Sequence, residues 1–166
     1  TGYSCADLFY QESLLRRAEV ALSWIAENSA QLGILAVLGL PFARDGRIFN
    51  CAAVVGNGRV LGIIPKSYLP SSMEYYERRW FTPAAQANLK TVKIEGSEIP
   101  FGTDLLFAAT DFAKCVIGVE ICEDLWVPIP PSSYAALAGA TVLLNLSASN
   151  ITIGKESYRK SLVANQ

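Results

Sequence analysis

The chain has 166 residues, a net charge of -1, and 51% hydrophobic but only 17% charged residues. This length allows one domain with a substantial core. A charged share below the roughly 25% of average proteins favours a sheet covered on more than one side, or a surface that another chain or domain buries. The near-neutral charge excludes a strong field for nucleic acid or anionic lipid. No apolar run reaches the roughly 20 residues that span a bilayer, and no secretory signal opens the chain.

Four cysteines and no histidine limit the chemistry. Cys51 and Cys115 lie in apolar, strand-like runs, and the absence of a Cys-x-x-Cys pair argues against a zinc site. For three of the four cysteines we expect a buried, reduced thiol, and therefore a cytoplasmic protein. Without histidine, Ser-His-Asp and Cys-His mechanisms are excluded within this chain, so an activated nucleophile must depend on a carboxylate or a lysine.

Apolar spacing predicts the elements of the first half of the chain. Ser4 is expected to cap a first helix, and the apolar run of residues 34–40 is typical of a strand buried on both faces. Residues 48–55 and 59–64 are predicted strands, joined at Gly56-Asn57-Gly58 by a strong hairpin signal. The apolar stripe of the helix comprises Leu8, Leu15, Ala18, Leu22 and Ile25.

The second half alternates strands and helices, which indicates a layered α/β fold. After an irregular segment at 65–87, a weak β pair is predicted between residues 91–94 and 105–108. An apolar strand at 115–121 runs directly into Cys122. The remaining elements are a short helix at 132–138, a strand at 141–146 and a helix at 155–165.

Both ends of the chain suggest that the fold continues in sequence. The chain has no initiator Met, and its last helix reaches Gln166 without a capping signal. A helix-first α/β layer normally has a strand feeding it. We therefore expect a fold that is truncated at both ends.

Two residues are candidates for catalysis. Cys122 follows a buried strand at its carboxyl end, where ligands bind in layered α/β folds and where a sharp turn exposes a side chain beside backbone N–H groups. The alternative is a core cysteine, and position alone does not separate the two. Lys66 closes a strand between Pro65 and Ser67, and a lysine beside a thiol lowers the thiol pKa and stabilises an oxyanion. A solvated loop lysine is the alternative, which position alone favours.

Two further patterns are weaker evidence for a functional site. The glycines of residues 56–62 loosely echo a phosphate-binding loop, but they open no helix, so nucleotide binding is not expected there. The charged cluster of residues 74–79, which includes Glu77, is interpreted as a salt-bridged or docking face rather than a catalytic carboxylate pair.

Four stretches carry more specific motifs. They read Gly-Ile-Ile-Pro-Lys-Ser-Tyr-Leu-Pro at 62–70, Glu-Tyr-Tyr-Glu-Arg-Arg-Trp-Phe at 74–81, Val-Glu-Ile-Cys-Glu-Asp-Leu-Trp at 119–126, and Asn-Leu-Ser-Ala-Ser at 145–149 with Ile-Thr-Ile-Gly-Lys at 151–155. Together they resemble the nitrilase-type glutaminase domain of glutamine-dependent NAD synthetases, over nearly all of the chain. The resemblance implies a nitrilase-like αββα layered sandwich, here incomplete, with residues 1–166 forming part of the glutaminase domain.

The resemblance also implies a Glu-Lys-Cys triad. Cys122 and Lys66 match two members, and the glutamate is expected a few residues before Thr1. The implied reaction hydrolyses the side-chain amide of L-glutamine through a cysteine thioester. The ammonia then serves the ATP-dependent amidation of deamido-NAD in a synthetase domain beyond Gln166. No cofactor is expected in the glutaminase part, whereas ATP and Mg are expected in the synthetase domain.

Substrate contacts follow from the same resemblance. Glutamine contacts fall on Ser149 and on Lys155, which is an arginine in some members. Ser72 stands where the family often has a tyrosine, and Tyr75 or Tyr76 is the expected substitute. The full-length protein is expected to be a homo-oligomer that binds neither nucleic acid nor membrane.

Two alternatives stay open at this stage. One is a stand-alone nitrilase-type amidase or carbamoylase, and a Ser-Gly-Gly-x-Asp-Ser motif after Gln166 would argue against it. The other is a non-catalytic binding module of the same fold, which the absence of the upstream glutamate would favour.

Overall fold

The computed structural model describes residues 1–165, which form two compact units, one of residues 1–105 and one that begins at Leu106. The helices are α1 (Glu12–Asn28), α2 (Pro131–Leu137) and α3 (Lys155–Asn165). Within residues 1–165, no helix has both the length and the apolar character needed to cross a membrane. The strands are β1 (Leu35–Arg44), β2 (Arg47–Gly56), β3 (Arg59–Pro65), β4 (Thr91–Ile94), β5 (Ser97–Pro100), β6 (Leu106–Ala108), β7 (Val116–Ile121) and β8 (Val142–Leu146).

The first helix begins later than the sequence predicts. Residues Ala6–Tyr10 form a short 3-10 helix without a side-chain cap, so Ser4 does not cap α1. The extended backbone of Gln11 separates the two helices. Because Leu8 lies in the 3-10 helix, it is 58% exposed and does not belong to the apolar stripe. The buried residues of α1 are Ala18, Leu22, Ser23 and Ala26.

Strands β1, β2 and β3 form an antiparallel sheet in that order. The predicted hairpin between β2 and β3 is confirmed, with positive φ angles of 52° at Asn57 and 79° at Gly58, as its two-residue turn requires. The prediction of a first strand buried on both faces is wrong, because residues 34–39 are exposed or half-buried and only Leu40 of the predicted run is buried. The central strand β2 is instead buried on both faces over residues 51–56.

The weak β pair predicted between residues 91–94 and 105–108 does not form, because each strand has a different partner. Strand β4 pairs with β5 through a turn at Glu95-Gly96, where both residues have positive φ, and β6 pairs with β7. The turn was missed because glutamate is an unusual residue in the left-handed region. This hairpin closes the core of the first unit, whose buried members include Leu22, Phe42, Phe49, Val92, Ile99 and Phe101.

In the second unit, the sheet has the order β6-β7-β8, and β7 runs parallel to β8. The crossover between the parallel strands contains α2, as predicted. The register pairs Glu120 with Asn145 and Ile121 with Leu146. Cys122 and Ser147 therefore follow the carboxyl ends of neighbouring parallel strands, at the edge where ligands bind in such sheets.

Helix α2 packs on β7 at Gly118, where a Cβ atom would stand 2.9 Å from the Cβ of Ala135. We expect Gly118→Ala to lower the free energy of unfolding by about 1–3 kcal/mol, because the added methyl overpacks this contact. Gly39→Ala in β1 is the matched control, since nothing lies within 4 Å of its added Cβ. Urea unfolding of both variants measures the difference, and equal losses would contradict the packing of α2 on Gly118.

Candidate active site

Lys66 occupies a rigid, buried position directly after β3. Its backbone N–H donates to the carbonyl of Asn50 at 2.8 Å, and its own carbonyl accepts from the Ala84 N–H at 2.9 Å. Only 1% of the residue is exposed. The alternative of a solvated loop lysine is therefore wrong.

The ammonium of Lys66 is paired with Glu77. Lys66 Nζ donates to Glu77 Oε1 at 2.6 Å, and both side chains are 1% exposed. The Tyr3 hydroxyl donates to the same oxygen at 3.0 Å, and Asn50 Nδ2 lies 3.4 Å from Oε2. A buried ion pair compensates its desolvation only when both partners are present and hydrogen-bonded, so each charge here depends on the other.

Glu77 is a residue that sequence reasoning misplaced. It opens a three-residue 3-10 helix inside the irregular segment, where no apolar period indicates which side chains point inwards. The predicted salt-bridged surface does exist at Arg79, whose Nε and Nη2 donate to Asp7 at 2.7 and 2.9 Å. Hydrogen bonds from Arg79, and then from Trp80, lower the pKa of Asp7 to about 2. The cluster of residues 74–79 thus divides between solvent and core, with Glu77 in the core.

Cys122 lies at a strained turn. It follows β7 directly, opens a 3-10 helix of residues Cys122–Trp126, and has a φ of 49°. The Ile121 N–H donates to Asp124 Oδ2 at 3.0 Å, which ties the turn to the end of the strand. A left-handed backbone at a non-glycine residue costs on the order of 1–3 kcal/mol and persists only where its surroundings enforce it. The sharp turn expected after this strand is present, but the expectation that it exposes the side chain is wrong, because Cys122 is buried with 9% exposure.

The other thiols differ from one another. All four cysteines are free, Cys51 is buried, and Cys5 and Cys115 are half-buried. Burial raises the pKa of the Cys51 thiol well above its usual range, against a smaller opposing effect of the Arg44 charge. The expectation of buried thiols is therefore correct for Cys51 and wrong for Cys5 and Cys115. Cys115 precedes β7 instead of lying inside it.

The two residues expected to contact substrate lie in the second unit. Ser149 is half-buried in the segment after β8. Lys155 is the first residue of α3, its Nζ donates to Asn150 Oδ1, and the same nitrogen stands 5.3 Å from the ring centroid of Trp126. Because Trp126 ends the turn that Cys122 begins, the structure brings the Lys155 ammonium to the Cys122 turn through a cation–π contact.

The tyrosine that would substitute at Ser72 stays a prediction. Ser72 is exposed. Tyr75 packs edge-on against Tyr3 with ring centroids 6.3 Å apart, and Tyr3 in turn bonds Glu77. Tyr76 is exposed. Of the two candidates, Tyr75 is the one connected to the Lys66–Glu77 pair.

A second buried carboxylate, Glu120, was also missed by sequence reasoning. It lies in β7 next to the Cys122 turn and is 4% exposed. Its strand reads as a continuous apolar run, in which a single glutamate gives no periodic signal. Within residues 1–165 no group of His, Cys, Asp or Glu side chains is arranged to hold a metal ion. The described residues thus include a thiol at a strained turn, a buried ammonium and three buried carboxylates, those of Glu77, Glu120 and Asp124.

The sequence profile of the carbon-nitrogen hydrolase family matches residues 1–163, so the chain belongs to the carbon-nitrogen hydrolase family. A crystal structure of a glutamine-dependent NAD(+) synthetase from Cytophaga hutchinsonii has a TM-score of 0.79 and 36% identity, over 99% of this chain and 26% of that one. An amidase of the nitrilase superfamily from Nesterenkonia has a TM-score of 0.68 at 18% identity, which shows the fold alone. The predicted nitrilase-type fold is confirmed.

Among curated relatives, the glutamine-dependent NAD(+) synthetase of Mycobacterium tuberculosis is 51% identical over 162 residues. The protein of the same name from Thermotoga maritima is 33% identical over 164 residues. The resemblance derived from the sequence motifs is thereby confirmed. The match covers 98% of this chain but 24% of the mycobacterial protein, so the chain spans about a quarter of the length of such relatives.

Proposed function

We propose that this chain is part of the glutaminase domain of a glutamine-dependent NAD synthetase and hydrolyses the side-chain amide of L-glutamine. The observation that carries the proposal is the 51% identity, across 98% of the chain, with a protein of that name from Mycobacterium tuberculosis. Family membership supports the same reaction class, because ammonia leaves the glutamine side chain by cleavage of a carbon–nitrogen bond.

The proposed mechanism uses Cys122 as the nucleophile. The Cys122 thiolate attacks the carboxamide carbon of glutamine, while Lys66 and the backbone N–H of Glu123 stabilise the resulting oxyanion. A glutamate expected before Thr1 takes the thiol proton and passes it to the departing ammonia. Water then attacks the thioester carbonyl, which releases glutamate and restores the thiol.

Binding of the substrate is assigned to Ser149 and Lys155. The Lys155 ammonium suits the α-carboxylate of glutamine, because an ammonium and a carboxylate form a charge-assisted hydrogen bond. Its place on Trp126, the last residue of the Cys122 turn, supports this role. An uncharged side chain at this position would remove that contact without touching the thiol.

The remaining steps belong to the rest of the proposed protein. Ammonia from glutamine amidates deamido-NAD in a synthetase domain that uses ATP and Mg. The proposed protein is cytoplasmic and homo-oligomeric, and it binds neither nucleic acid nor membrane. A stand-alone amidase and a non-catalytic module are not favoured, because the two curated relatives described above are named as NAD synthetases.

Transfer of an isotopic label tests the proposal directly. The full-length protein is given glutamine labelled with ¹⁵N in the side-chain amide, together with ATP, Mg and deamido-NAD. We expect ¹⁵N in the carboxamide of NAD and one glutamate released for each NAD formed, as mass spectrometry and amino-acid analysis would show. Glutamate release without NAD formation would instead favour the stand-alone amidase, and NAD whose carboxamide carries no ¹⁵N would contradict the glutaminase assignment.

A further inference from the structure

Glu120 is a buried carboxylate that the proposed mechanism does not use. It is 4% exposed, and each of its oxygens accepts a hydrogen bond. Oε2 accepts from the backbone N–H of Ser132 at 3.0 Å, and Oε1 accepts from Asn145 Nδ2 at 3.1 Å. A buried carboxylate is stable only when hydrogen-bond donors contact its oxygens. Glu120 therefore requires its neighbours to direct N–H groups towards it.

The fold explains both partners of Glu120. Helix α2 begins at Pro130-Pro131, which supply neither a capping side chain nor a backbone N–H, so Ser132 carries the first N–H of the helix. Glu120 satisfies that donor from the adjacent strand. Asn145 stands opposite Glu120 in the parallel register of β7 and β8, which places both side chains on the same face of the sheet.

The amide of Asn145 also reaches the nucleophile turn. Its Nδ2 lies 3.3 Å from the carbonyl oxygen of Cys122, so the two N–H bonds of one amide are directed at Glu120 and at Cys122. An ionised carboxylate can only accept hydrogen bonds, and Glu120 therefore selects the orientation in which Asn145 presents its NH₂ group. Asn145 itself is exposed on β8, so water competes for its amide. The hydrogen bond to the buried Glu120 holds the amide against that competition.

We propose that Asn145, oriented by Glu120, is a positioning residue that holds the backbone of Cys122 in its left-handed conformation. The φ of 49° at Cys122 is unfavourable for a residue with a Cβ, and a donor on its carbonyl restrains the following peptide. That peptide carries the Glu123 N–H to which the proposed mechanism assigns oxyanion stabilisation. The inference rests on the proposed function for its catalytic consequence, but the restraint on Cys122 is independent of the substrate.

The isosteric variant Asn145→Asp tests the proposal in the full-length protein. The introduced carboxylate cannot donate to the Cys122 carbonyl, and it faces Glu120 as a second acceptor. We expect kcat for glutamine hydrolysis to fall roughly 10- to 100-fold, because small displacements of reacting groups have effects of this size. KM for glutamine and ammonia-dependent NAD synthesis should stay within about twofold of the wild type, since neither depends on the Cys122 backbone. Asn28→Asp is the matched control, because the Asn28 amide donates to the Trp24 carbonyl at the far end of α1.

A double variant separates positioning from folding. In Glu120→Gln with Asn145→Asp, the new amide at position 120 accepts from the Ser132 N–H and donates to the new carboxylate, so the bond between the strands is restored with reversed polarity. We expect wild-type thermal stability together with the low kcat of the single variant. Recovery of kcat in the double variant would overturn the proposal, as would a single variant that raises KM alone.

Alkylation of Cys122 by iodoacetamide, followed by peptide mass spectrometry, gives a readout that needs no glutaminase activity. We expect the Cys122 rate constant to change at least severalfold in Asn145→Asp while that of Cys115 stays constant, because a relaxed turn alters thiol access and orientation. An unchanged Cys122 rate would overturn the positioning role even if glutamine is the substrate. A changed rate in a protein that fails to hydrolyse glutamine would support the positioning role and count against the proposed function alone.

Discussion

Replacing Cys122 with alanine in the full-length protein is expected to abolish glutamine-dependent NAD synthesis and to leave ammonia-dependent synthesis intact. The thiol forms the covalent intermediate in the proposed reaction, and removal of a catalytic nucleophile lowers kcat by about 10⁶ in a well-studied hydrolase. No other step of the proposed pathway uses this side chain. Steady-state assays with glutamine and with ammonium chloride, run on the same preparation, measure both activities.

Cys115→Ala is the matched control for that experiment, because its thiol is half-buried in the same unit and has no assigned role. It should retain both activities. Loss of ammonia-dependent synthesis in a folded Cys122→Ala protein would contradict the division of labour between two sites. Glutamine-dependent synthesis that persists in Cys122→Ala would mean that a different residue is the nucleophile.

Lys66→Met is expected to lower both catalysis and stability. Loss of one oxyanion donor lowers kcat by roughly 10²–10³, and kcat/KM should fall with it because the charge acts in the tetrahedral species. The substitution also leaves Glu77 buried without its cation, and breaking a buried ion pair costs about 3–5 kcal/mol. Glutamine kinetics and urea unfolding measure the two effects separately.

The double variant Lys66→Met with Glu77→Gln distinguishes the two effects. The glutamine amide keeps an oxygen for the Tyr3 hydroxyl, and the pair carries no charge. We expect much of the lost stability to return, since a neutral pair of similar volume is often as stable as a buried ion pair, while kcat stays low. Recovery of kcat would show that the Lys66 ammonium is not needed. A rise in KM alone for Lys66→Met would place Lys66 in substrate binding.

Local patterns in the sequence predicted much of the scaffold. The hairpin at residues 56–58 was predictable because Asn57 and Gly58 tolerate the positive φ of its turn. Helix α3 and strand β8 follow their apolar spacing to within one residue of the predicted bounds. The position of Cys122 after β7 was equally predictable. A buried strand that ends in a polar cluster can be recognised from adjacent residues in the sequence alone.

Features that depend on distant partners were not predictable in this way. The pairing of β4 with β5 replaced the predicted partner because a two-residue turn joins nearer strands. Burial on both faces belongs to β2 and not to β1, because sheet order decides which strand is central. Apolar runs of similar length predict a strand in both cases, and the run itself does not say where in the sheet that strand lies.

The sequence by itself determined most of the elements, the family and the identity of the candidate nucleophile and lysine, because these follow from local spacing and from motifs of adjacent residues. Only the tertiary structure decided that Glu77 is buried against Lys66, since Tyr3, one of its hydrogen-bond donors, is 74 residues away along the chain. The same holds for Glu120, whose partners Ser132 and Asn145 are 12 and 25 residues away. The residue type in the sequence does not indicate whether a carboxylate lies on the surface or in the core. Its role depends on the hydrogen-bond donors that folding brings to its oxygens.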